Sequence, residues 1–143
     1  QPESCADRLA AKVAPAEPRK IRLNADALFP FNKSGKQDMR PAGRKQLDEL
    51  ADELKSLPPS ARIEITVHTD RLGSESYNQR LSQQRAETVR NYLLDKGAPA
   101  AQMSARGRGE QQPIVECDQT VRSELIACLE PNRRVHIEVT GEK

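Results

Sequence analysis

The stretch Thr69-Asp-Arg-Leu-Gly-Ser-Glu-Ser-Tyr-Asn-Gln-Arg-Leu-Ser-Gln-Gln-Arg-Ala86 joins the end of a strand to the start of a long helix. Just before it, Ile63, Ile65 and Val67 alternate with Arg62, Glu64 and Thr66, the period of a half-buried strand. Gly73 and Ser74 open a helix that the spacing carries to about Lys96, where Gly97 ends it. On a 3.6-residue period one face of that helix collects Leu81, Ala86, Val89, Tyr92 and Leu93, together with Asn78, Ser82 and Arg85. A guanidinium inside an apolar arc is costly unless something negative meets it. Asp70 is the nearest candidate in sequence, across a short strand-to-helix turn. A carboxylate beside a guanidinium can grip a free amino acid end. The Asp takes the ammonium, and the Arg takes the carboxylate through a two-pronged hydrogen bond. The plainer reading is an internal Asp70–Arg85 salt bridge holding strand to helix, and these residues alone favour it.

On either side the pattern continues. Residues 1–20 hold Pro2, Pro15 and Pro18 among several alanines, which reads as an extended linker or leader; residues 21–143 form the folded domain. Ile21, Leu23, Ala25, Ala27, Phe29 and Phe31 alternate as in a half-buried strand, with Pro30 at its end. Asn32-Lys-Ser-Gly35 makes a turn. A helix comes next, from Met39 or Pro41 to Leu57, with Leu47, Leu50, Ala51, Leu54 and Leu57 on one face. Met103, Ala105 and Gly107 suggest a short strand, residues 119–127 a short helix between Cys117 and Cys128, and Val135, Ile137 and Val139 a final strand. Strands with one apolar face and helices between them predict a two-layer α/β (α+β) sandwich with a mixed sheet.

Composition narrows the functions available. Lys+Arg 23 against Asp+Glu 21 leaves a net charge of +2, and the charges are interspersed, as on a solvated surface. With no basic run, two Phe, two Tyr and no Trp, nothing points to nucleic acid. No apolar run is long enough for a membrane-spanning helix. Cys117 and Cys128 are balanced between a disulfide, worth roughly 3 kcal/mol and implying an oxidising compartment, and two reduced thiols. The intervals from Cys117 to Cys128 to His136 match no common zinc pattern. Cys5 is left odd.

Three motifs, T-D-x-x-G-x-x-x-Y-N-x-x-L-S-x-x-R-A, then G-x-G-E-x-x-P, then N-R-R-V-x-I-x-V, occur in that order. Together they closely resemble the C-terminal domain of outer membrane protein A (OmpA) and its relatives, the peptidoglycan-associated lipoprotein and flagellar stator B subunits. The likeness runs from about Ile21 to Val139. It implies a βαβαβ(α)β mixed four-stranded sheet packed against two long helices. It also implies non-covalent binding of peptidoglycan through the meso-diaminopimelate of the stem peptide, with no metal, cofactor or catalysis. Carried over by position, Asp70 takes the ammonium and Arg85 the carboxylate. Asn32 and Asn78 add hydrogen bonds, Thr69 and Leu72 line the site through backbone groups, and Arg133 reinforces the carboxylate side. The Cys pair resembles an OmpA subgroup in which it is a disulfide. The resemblance further implies a periplasmic module of a Gram-negative bacterium, attached to an N-terminal outer-membrane β-barrel outside this chain, and leaves a homodimer open. One departure is Val67, where many members have Gly; facing the core it changes little, facing the groove it narrows the pocket.

Each residue has a plainer role to set beside this. Asn78 can satisfy local backbone at the first helical turn, and Asn32 can shape the turn before Lys33. Arg133 and Arg134 alternate, so at most one shares a face with the pocket and the other is solvated. His68 reads as a sheet-packing or groove-lining residue, since no nucleophile motif accompanies it. Gly109 and Glu110 read as turn chemistry. Two rival functions are a protein-docking element, using the Cys-flanked helix or the leader, and a wall hydrolase. The hydrolase lacks a paired-carboxylate or zinc signature.

Overall fold

The computed structural model describes residues 19–58, 61–98 and 103–140. The elements are β1 (Arg19–Asn24), α1 (Ala25–Leu28), α2 (Pro41–Leu54), β2 (Arg62–His68), α3 (Glu75–Asp95), β3 (Met103–Gly109), α4 (Arg122–Cys128) and β4 (Arg134–Thr140). Short 3-10 turns cover Lys36–Asp38 and Glu130–Asn132. The sheet order is β1-β4-β2-β3. β4 runs antiparallel to both neighbours, while β2 and β3 are parallel, joined by the α3 crossover. The mixed sheet and its helix layer match the sequence reading. The leader expected over residues 1–20 and Cys5 fall almost wholly outside the described residues.

The core arises from the strand period. Ile63, Ile65 and Val67 stand opposite Val139, Ile137 and Val135 and are all at most 1% exposed. Leu47, Leu50, Ala51 and Leu54 of α2 and Ala86, Val89 and Leu93 of α3 close over them. Val67 therefore faces the core, and the departure from the family pattern leaves the groove alone. Tyr92 ties the two helices together, its hydroxyl donating to Asp48 Oδ1 at 2.6 Å. Desolvation, then that hydrogen bond, pushes its pKa up to about 12.

Two expected boundaries are corrected. The strand read from Ile21 to Phe31 stops at Asn24, because the Asn24 side chain accepts from Ala27 N at 3.1 Å and caps a helical turn. Ala25, Leu28 and Phe29 are buried from that turn, whereas Phe31 is 82% exposed. The helix read to Leu57 ends at Leu54, although Leu57 still packs against the core.

Close approach between β3 and α3 sets the helix position. A Cβ on Gly107 would lie 2.2 Å from Gln83 N and 2.4 Å from Ser82 Oγ. In its absence Gln79 Nε2 donates to Gly107 O at 2.7 Å, and Gly107 N donates to Gln83 Oε1 at 2.8 Å. The helix that carries Asn78 and Arg85 is thus seated directly on strand backbone.

Candidate functional site

A bulge starts the site. The β2–β3 register shifts between Val67 and His68, and Thr69 N donates to Gly109 O at 2.9 Å. Val67 pairs with Gly107 and His68 with Gly109, so the extra residue is Arg108 of β3. Bulges bend the strand that carries them, and Asp70 follows β2 just beyond the irregular pairing. Its Oδ1 accepts from Leu72 N at 3.0 Å, closing a tight side-chain turn. Gly73, at φ 90°, completes that turn in a conformation that favours glycine. Ser74 then caps α3 by accepting from Tyr77 N.

Asp70, Leu72, Asn78, Arg85, Asn32 and Arg133 all line one cavity of about 780 Å³, with walls from α1, the 29–32 segment, α3 and α4. Thr69 does not line it. It borders a smaller cavity of about 280 Å³ beyond Asp70, and its hydroxyl donates to Asp70 O at 2.9 Å.

The Asp70–Arg85 salt bridge does not form. Asp70 Oδ2 instead accepts from Arg133 Nη1 at 2.7 Å, and Arg133 Nε reaches both carboxylate oxygens of Asp26 at 3.0 and 3.1 Å. Burial works against the Arg133 charge, but the hydrogen bonds to Asp70 and Asp26 outweigh it and raise its pKa. Arg85 is 5% exposed. Its Nε donates to Lys33 O at 2.8 Å and its Nη2 to Pro30 O at 3.1 Å, and it lies 5.2 Å from the Phe29 ring centre. Among the described residues no carboxylate bonds it. Desolvation dominates and lowers its pKa, with Asp26, Tyr77 and Asp70 opposing from a distance.

Asn78 braces the turn. Its amide donates to Leu72 O at 2.9 Å, Glu110 Oε1 at 3.0 Å and Asp70 O at 3.2 Å, so Glu110 does more than shape its own turn. Asn32 sits at φ 64° and accepts from the Tyr77 hydroxyl. Arg134, expected in solvent, is 5% exposed because β4 lies between two strands. It donates to Gln112 O, Asn132 O and His136 Nε2. His68 is 3% exposed and packs edge-on against His136, away from the cavity lining. Burial, then the charges of Arg134, His136 and Arg108, push its pKa down to about 4.

Sequence reasoning passes over Asp26, Arg40, Tyr77, Arg122 and Ile126, all of which line the cavity. Asp26 has a usable signal, since Asn24-Ala-Asp reads as a helix cap with an acid in the first turn. Cys117 and Cys128 are bonded, with Cα atoms 6.1 Å apart. The bridge holds the end of α4, and Arg71 Nη2 donates to Cys117 O at 2.7 Å.

The OmpA family profile matches residues 31–127, more than half of the chain. Outer membrane protein A of Shimwellia blattae is 44% identical over 146 residues, covering 94% of this chain and 59% of that protein. Its Klebsiella pneumoniae counterpart is 46% identical over 125 residues, covering 85% and 36% respectively. The chain thus spans between about a third and three fifths of these relatives. Among solved structures, the peptidoglycan-associated lipoprotein of Burkholderia pseudomallei superposes with a TM-score of 0.64 at 30% identity, covering 79% of this chain and 87% of that one. The cell wall anchor of the T6SS from Pseudomonas aeruginosa superposes with a TM-score of 0.70 at 25% identity, covering 96% and 93%. With a family profile matched over more than half of its length and relatives of that family more than 40% identical, the chain belongs to the OmpA family.

Proposed function

We propose that this domain grips peptidoglycan non-covalently through the meso-diaminopimelate of the stem peptide. It thereby tethers an attached outer-membrane barrel to the wall from the periplasmic side. The observation that carries this reading is the buried Arg85 guanidinium, which meets carbonyls and a ring but no carboxylate among the described residues and lines the same cavity as Asp70. A buried cation without an acid partner is stabilised by an incoming anion. Asp70, fixed by Leu72 N and Arg133, keeps lone pairs for an ammonium. A free amino acid end offers both charges on one carbon. Resemblance to proteins named for peptidoglycan and the cell wall supports the wall as the target.

Such a module needs no high single-site affinity, since the wall repeats its ligand and a membrane carries many copies. Calorimetric titration with a diaminopimelate-containing muropeptide tests it. Saturable binding is expected for the parent and loss of binding for Asp70→Ala and Arg85→Ala. Arg85→Lys keeps the charge but not the two-pronged geometry, and is expected to bind weakly while folding normally. Unchanged binding in both alanine variants would overturn the assignment.

A further inference from the structure

The cavity carries more positive charge than a diaminopimelate tip can use. Arg40, Arg85, Arg122 and Arg133 line it against Asp26 and Asp70, an excess of two positive charges. A tip with one ammonium and one carboxylate is neutral and leaves that excess unanswered. Both acids are already engaged by Arg133. Among the described residues the side chains of Arg40 and Arg122 make no hydrogen bond or ion pair.

Arg122 is the better placed of the two. It stands one helical turn before Ile126 on α4, and both line the cavity. The helix is held at its far end by the Cys117–Cys128 bridge, and Ile126 O accepts from Arg133 Nη1 at 3.1 Å. The wall that carries Arg122 is therefore fixed to the same guanidinium that holds Asp70. Recognition at two points needs such a fixed spacing.

We propose that Arg122 forms a second anion subsite, taking a carboxylate of the stem peptide other than that of the diaminopimelate tip. This rests on the wall-binding reading above. A tetrapeptide stem carries two such carboxylates, the α-carboxylate of its side-chain-linked D-glutamate and the C-terminal one. Their combined charge matches the excess in the cavity. Amidation of the recognised carboxylate then weakens attachment without touching the tip.

The test titrates the parent and Arg122→Gln with free meso-diaminopimelate, the tetrapeptide stem, the stem amidated at D-glutamate, and the stem amidated at its C-terminus. Arg122 is exposed and unpartnered among the described residues, so the variant should fold, which a thermal melt checks. Free diaminopimelate should bind both proteins alike. The stem should bind Arg122→Gln roughly tenfold more weakly, about 1.4 kcal/mol. The parent should discriminate roughly tenfold against one amidated stem, which identifies the carboxylate, and the variant should lose that discrimination. Equal stem affinity in parent and variant, or no discrimination by the parent against either amide, overturns the subsite alone. Failure of the parent to bind either diaminopimelate or the stem overturns the wall-binding reading and this inference with it.

Discussion

Replacing Arg133 by Ala removes a group that bonds Asp26, Asp70 and the Ile126 carbonyl of α4 together. Its acceptors respond unequally. Asp26 has a side chain 47% exposed and can rehydrate, so its loss costs within about 1 kcal/mol. The Asp70 side chain is 11% exposed and among the described residues keeps only the bond from Leu72 N. Stranding such a charge costs about 3 kcal/mol, the lower end of the range for a broken buried pair, because the cavity admits water. The sum corresponds to a melting point lower by roughly 10 °C for a domain of this size. Urea unfolding of Arg133→Ala, Asp70→Asn and the double variant separates stranded charge from lost packing. Asp70→Asn should relieve the Arg133→Ala defect, giving a coupling of roughly 2 kcal/mol. A single-variant loss below about 1 kcal/mol, additive with Asp70→Asn, would refute the claim that Arg133 rather than Arg85 holds Asp70.

Gly107→Ala should destabilise by about 3 kcal/mol and blunt ligand binding together, because its Cβ would press on the α3 backbone at Gln83 and move the helix that carries Arg85; a thermal melt and a titration check it. His68 makes stability pH-dependent. The unfolded imidazole takes its proton near 6.5 and the folded one near 4, so its contribution is intact above 6.5 and is lost as pH falls toward 4. The total is roughly 3 kcal/mol, and urea midpoints should fall less between pH 7 and pH 4 in His68→Gln than in the parent. Opening Cys117–Cys128 by double Ser substitution should cost about 3 kcal/mol in the same assay, given the sequence separation of 11.

Period and punctuation make part of this molecule legible from its sequence. The α3 face, its Ser74 cap and its Gly97 stop lie within a residue or two of expectation, and Gly97 has φ 103°. Other features depend on backbone acceptors and neighbours that no pattern announces. Arg85 is satisfied by carbonyls of Pro30 and Lys33, more than fifty positions away, and a carbonyl leaves no side-chain signature. Arg134 alternates like a solvent residue, yet β4 is central and the Gln112 carbonyl folds over it. The run from Ile21 to Phe31 alternates like one strand, but the Asn24 cap outweighs the period there. The same alternation hides Asp26, since a continuous strand gives no reason to place that carboxylate beside the pocket.

The most direct measurement compares two stem peptides that differ only at the third residue, meso-diaminopimelate against lysine. Lysine keeps the side-chain ammonium but lacks the carboxylate that Arg85 is held to receive. In equilibrium titrations the chain should bind the diaminopimelate peptide saturably and the lysine peptide at least tenfold more weakly, a gap that closes in Arg85→Lys. Equal affinity of the parent for both peptides would contradict the account at its centre.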